Sequence, residues 1–208
     1  MIDTLFNQLD DWRRLPNYQL ERRADIFFAI HIPVLFKRLF SLEVLDILPE
    51  FPIRIGTIYP TVPINKSYKA DYIVYADNLK AFLVELKTDN GSIRNDQVKY
   101  YFKSIESGYY SLLSGLLEIY NASSYKSKYI SLLSRLVDNG SLEKNEGSYK
   151  PIEKYSFYHL PIFIKPTLSE LDTGYILTYE KIIGILKNEQ NQLTQRFIKS
   201  LQEWITPV

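Results

Sequence analysis

Cysteine is absent from this 208-residue chain. Its absence excludes disulfides, thiolate zinc sites and a cysteine nucleophile together. Histidine is scarce, with only His31 and His159. Two residues leave little material for a histidine-rich metal site, a zincin motif or Ser-His-Asp catalysis, and packing or capping is the expected use of both. There is no Walker A sequence and no Gly-rich dinucleotide loop, so no nucleotide cofactor is indicated. Net charge is only +1, so a nucleic-acid site would have to come from a local patch. No apolar run approaches the roughly 20 residues of a membrane span. The start, Met1–Asp11, carries acids where a secretory signal has a basic region. The expectation is a cytoplasmic protein without membrane contact.

What is present reads as one globular α/β domain over residues 1–208, with 46% apolar and 24% charged residues. Tyrosine is abundant, at 17, and packing is its first use, with base stacking second. Residues 17–40 have helical spacing in Leu20, Ala24, Phe27, Phe28, Leu35 and Leu39, with a kink or restart expected at Pro33. Residues 41–50 suggest a short helix capped by Ser41, and Phe51–Tyr59 a first strand. Pro60 and Pro63 mark a loop, as does Thr88–Ser92. Helices are predicted over Ile93–Ser107, Tyr109–Tyr120 and Tyr125–Val137. Polar, Gly-containing Asn139–Lys154 reads as a flexible loop. Tyr155–Lys165 reads as a buried strand, limited by Pro161 and Pro166, and the tail as helices near 178–187 and 189–205.

The most informative stretch is a hairpin. Lys69–Ala76 and Lys80–Lys87 are rich in β-branched and aromatic residues, with Asp77-Asn78 between them as turn chemistry. Glu85 and Lys87 are two apart and share a strand face with Ala81 and Leu83. A turn of about three residues would set Asp71 across from Glu85. Two carboxylates and an ammonium would then meet on an apolar sheet. Close carboxylates repel unless something positive binds them, and a divalent metal ion is the natural candidate. The bland reading is a solvent-facing salt-bridge patch. Ten residues past Lys87 comes Gln97, early in the next helix, with Tyr101 one turn later on the same face.

Asp71, then Glu85-Leu86-Lys87, then Gln97 with Tyr100 and Tyr101, resemble the PD-(D/E)XK nuclease superfamily. The similarity spans residues 17–165 in order of elements and 69–101 in motif. It implies a restriction-endonuclease-like fold, a central mixed β-sheet flanked by α-helices. The implied activity is metal-dependent hydrolysis of nucleic-acid phosphodiester bonds, with DNA ahead of RNA. By the same resemblance, Asp71 and Glu85 would bind Mg²⁺ or Mn²⁺, and Lys87 would orient or activate the attacking water. Gln97 would support the site or touch the nucleic-acid backbone, joined there by Tyr101. Glu21 matches a Glu that many members carry on the first core helix and is a third candidate metal ligand. The Pro that names the motif is Ala70 here, which alters the start of the strand and leaves the ligands in place.

Lys99 and Lys103, four apart, suit a phosphate backbone, although a solvated helix face is the plainer reading, as for Lys126 and Lys128. A homodimer or a partner protein is a further expectation. The rival reading is a non-catalytic nucleic-acid-binding or scaffold protein that keeps the fold. If the nuclease reading holds, alanine at Asp71, Glu85 or Lys87 should abolish cleavage and leave the fold intact.

Overall fold

The structure is a computed structural model that describes residues 1–61, 66–89, 95–169 and 172–206. The expected loop at Pro63, the loop residues 90–92 and the expected helix start at Ile93 lie outside them. The chain is mixed α/β and forms two compact units. One comprises residues 1–44, 85–94 and 162–208; the other comprises 45–84 and 95–161.

In the second unit, β1 (Val44–Arg54), β2 (Ser67–Ala76) and β3 (Lys80–Leu86) are neighbours in that order. The hairpin β2–β3 is antiparallel, with Tyr75 opposite Ala81 and Tyr72 opposite Val84. Its loop is the three residues Asp77-Asn78-Leu79, with Leu79 at φ +58° and its N–H bonded to Ala76 O. Both arms have fully buried cores, because Ile73, Val74, Phe82 and Leu83 leave no polar face to solvent. The first residues of β3 also pair in parallel with β6 (Ser156–Phe157). Helices α3 (Ile55–Ile58), α4 (Asn95–Ser107) and α5 (Tyr109–Ala122) pack on one another. A 3₁₀ turn (Lys126–Tyr129), α6 (Ile130–Asp138) and the hairpin of β4 (Leu142–Asn145) and β5 (Ser148–Pro151) complete this unit.

The first unit holds the end of β3, then β7 (Ile162–Lys165), which pairs in parallel with β8 (Tyr175–Thr178). Parallel and antiparallel ladders together make a mixed sheet flanked by helices. Here those helices are α1 (Ile2–Trp12), α2 (Leu20–Phe40), α7 (Tyr179–Leu186) and α8 (Gln192–Trp204). Their aromatic core gathers Phe6, Phe27, Phe28 and Trp204 around Phe197. Buried Asp10 ties α1 to α8 by accepting from Arg196 at 2.6 Å and from Trp204 Nε1 at 2.8 Å.

Several expectations are corrected. Residues 44–50 are strand and not helix. Ser41 is the left-handed C-terminal cap of α2, at φ +57°, and caps no new helix. Pro49 and Pro52 are compatible with β1 as the last strand of the sheet path, which carries a ladder on one side only, and Glu50 between them has φ +53°. The strand ends at Arg54, and Ile55–Ile58 is a helical turn. Pro33 does not end α2, which runs unbroken to Phe40. Pro33 is exposed, and buried Phe28, Ile32, Leu35 and Phe36 hold the helix on either side of it.

The expected flexible loop contains the β4–β5 hairpin. Its turn is Glu146-Gly147, both with positive φ, as a two-residue type I′ turn requires. The expected strand 155–165 is two short strands separated by 158–161. Helix α1 and strand β8 were not foreseen.

Candidate functional site

Strand β3 passes from one unit into the other between Val84 and Glu85. In the first unit the structure brings together Glu21, Glu85 and Lys87. Lys87 Nζ lies 2.5 Å from Glu85 Oε1 and 3.2 Å from Glu21 Oε1. The Glu85 side chain is 1% exposed and that of Lys87 6%, while Glu21 is 31% exposed. Glu85 and Lys87 therefore pair inside the protein, with Glu21 reaching the same ammonium from a partly exposed position. Glu21 sits in the first turn of α2, where the helix dipole favours a carboxylate.

The backbone of Lys87 is pinned at both ends. Its N–H donates to Ile164 O at 2.8 Å, and its carbonyl accepts from Tyr179 Oη at 2.9 Å. Burial pushes the Tyr179 phenol well above its ordinary pKa, and the Glu21 and Asp89 carboxylates add to the shift. Tyr179 therefore stays protonated and donating. Next to Ile164, Lys165 is a second buried lysine, bonded to Asp172 Oδ1 at 2.7 Å and Ser169 Oγ at 3.2 Å. Burial by itself would raise the Asp172 carboxyl. Hydrogen bonds from Lys165 and Ser169 outweigh it and hold that carboxyl below its ordinary value. Sequence reasoning missed Tyr179 and the Lys165–Asp172 pair, since no local motif marks them.

In the second unit, Asp71 is half-buried near the start of β2. Its N–H donates to Tyr101 Oη at 3.2 Å, and that hydroxyl donates to Val84 O at 3.5 Å. Tyr101, which the resemblance joins to a nucleic-acid contact, is fully buried: the ring is core, and its hydroxyl bridges β2 and β3 beside their Tyr72–Val84 pair. Gln97 is half-buried on α4. Lys99 and Lys103 are exposed, each near an acid three residues away, Asp96 at 3.9 Å and Glu106 at 2.6 Å.

Glu85 and Lys87 are buried and bonded to each other, so alanine at either one removes the partner of a buried charge, at a cost to stability. His31 is a packed histidine in the first unit. Its Nδ1 donates to Phe27 O at 2.6 Å, Nε2 meets Thr194 Oγ1 at 2.9 Å, and burial lowers its pKa. Among the described residues, no three His, Cys, Asp or Glu side chains are gathered as a metal-ligating group. Among the described residues, no helix is long and apolar enough to cross a membrane.

No family model, curated protein or solved structure matches the chain.

Proposed function

We propose that this chain is a divalent-metal-dependent nuclease of the PD-(D/E)XK type, hydrolysing phosphodiester bonds of nucleic acid, DNA ahead of RNA. The observation that carries the reading is the buried Glu85–Lys87 pair at the end of an apolar strand, with Glu21 in reach of the same ammonium. Burying charge is costly, and pure packing has no need of it. In this reading the mixed sheet is of the restriction-endonuclease type.

The candidate ligands Asp71, Glu85 and Glu21 offer carboxylate oxygens, the hard donors that Mg²⁺ and Mn²⁺ prefer. Lys87 already stands as a cation against two of them, so the site is chemically suited to positive charge. When bound, the ion would relieve charge at phosphorus and make water a better nucleophile. Lys87 would add a fixed positive charge beside the attacked phosphate. Its bonds to Ile164 and Tyr179 hold its strand in place, as a pre-organised site requires.

One observation favours a second reading. Lys87 contacts both Glu85 and Glu21, so the cluster also suits a non-catalytic scaffold stapled by an ion triad. Calorimetric titration with Mg²⁺ and Mn²⁺ separates the two, on wild type and the near-isosteric Glu85→Gln. The nuclease reading expects specific binding to wild type that is lost in the variant, and metal-dependent cutting of DNA. If no heat of binding appears even with an oligonucleotide present to complete the site, the scaffold reading replaces it.

A further inference from the structure

We infer that the second unit carries a binding face for single-stranded nucleic acid, built from tyrosines and lysines of α5, the 3₁₀ turn and the β4–β5 hairpin. Three rings form its floor. Tyr120 packs edge-on against Tyr129, with centroids 6.3 Å apart, and against Tyr149 at 5.8 Å. An exposed lysine lies over each ring: Lys126 over Tyr120 at 5.4 Å, Lys128 over Tyr129 at 4.9 Å and Lys144 over Tyr149 at 5.9 Å. A ring face that only a solvent-exposed lysine covers is a face the protein's own packing has left open.

The charge on this face is not balanced locally. Among the described residues, none of the three ammoniums has a carboxylate within salt-bridge distance, unlike Lys99 and Lys103 on α4. The hairpin register explains part of this. Lys144 stands opposite Tyr149, while Glu143 stands opposite Lys150 one position along, so strand alternation sends that acid to the other face. The result is three lysines with no salt-bridge partner among the described residues, on a floor of aromatic rings.

Unpaired bases and phosphates fit both features. A base can displace a lysine stem and stack on a tyrosine, while the displaced ammonium meets the adjoining phosphate. A duplex hides its base faces and could use the charge alone. The inference stands whether or not the chain cuts, because it needs no residue of β3 and no metal.

The test is fluorescence anisotropy with a labelled dT 20-mer in EDTA, with duplex DNA and poly-glutamate as competitors. The triple variant Lys126→Gln/Lys128→Gln/Lys144→Gln should bind roughly tenfold or more weakly. Its slope of log K against log salt should be flatter by about 2, at ~0.7 for each lost single-strand contact. Tyr149→Leu, which keeps an apolar side chain, should weaken binding by roughly fivefold or more through lost stacking. Thermal melts confirm that each variant is folded. The inference is overturned by any of three outcomes: wild type that does not bind the oligomer, variants that bind like wild type, or duplex or poly-glutamate competing as well as the single strand. Wild type that binds here but cuts nothing when Mg²⁺ is restored would count against the nuclease reading alone.

Discussion

The ammonium of Lys87 lies 2.5 Å from the carboxylate of Glu85, two residues back on the same strand, and both side chains are buried. Neighbours on one strand face are close enough to pair, but burial makes each depend on the other. Breaking a buried pair leaves one charge without a partner, at a cost of about 3–5 kcal/mol, whereas replacing both by apolar groups is often near neutral. Lys87→Met should therefore lower stability strongly in urea denaturation, and Glu85→Leu/Lys87→Met should recover most of the loss. Additive losses in the double variant would show that the pair is not energetically coupled. On the nuclease reading, both variants lose cleavage regardless of stability.

Tyr179→Phe removes only a hydroxyl, yet it leaves the buried Lys87 carbonyl without that donor. The expected stability loss is about 1–3 kcal/mol. If Lys87 works on a phosphate, kcat for cleavage should fall with KM little changed, because the lysine's strand end is no longer fixed. A variant with wild-type melting and wild-type kcat would remove Tyr179 from the site.

His31 gives the molecule a pH dependence of known sign. Burial lowers its folded pKa below the value of about 6.5 expected in the unfolded chain. The unfolded state therefore binds the proton more readily. The stability that neutral His31 contributes is fully present above about pH 6.5 and is lost as pH falls below it, down to the folded pKa. Urea midpoints should drop between pH 7 and pH 5 in wild type and drop less in His31→Gln. Equal slopes in the two proteins would place the acid sensitivity elsewhere.

Gly115 lies inside α5, where alanine would ordinarily be favoured by about 1 kcal/mol. Here an added Cβ would press on Thr57 Oγ1 and lie 3.2 Å and 3.3 Å from the Cβ atoms of Thr57 and Arg54. Overpacking of this kind costs roughly 1–3 kcal/mol, so Gly115→Ala should lower the melting temperature. Gly115→Ala combined with Thr57→Ala should restore part of it. A stabilised single variant would mean that Thr57 rotates away freely.

Legibility followed locality. The β2–β3 hairpin could be read because its period, turn residues and loop length all lie within twenty residues. The same signals placed Glu85 and Lys87 on one face. The strand β1 was hidden because Pro49 and Pro52 read as helix terminators, and a strand that ends the sheet path can hold them. The β4–β5 hairpin was hidden by polar composition, although Glu146-Gly147 carries the turn signal. The resemblance gives Tyr101 a nucleic-acid role, whereas packing turns its ring into the core.

By itself the sequence determined what the chain cannot use, which is cysteine chemistry, and which short-range pairings it must make. It also marked Glu85 and Lys87 as polar residues on an apolar strand. Only the tertiary structure decided that both are buried, that Glu21 joins them from 66 residues away, and that Tyr179 reaches back 92 residues to hold the Lys87 carbonyl. The reason is physical. Hydrophobic pattern and turn chemistry act over a few residues, whereas partners for a buried charge or carbonyl are chosen by which elements pack together.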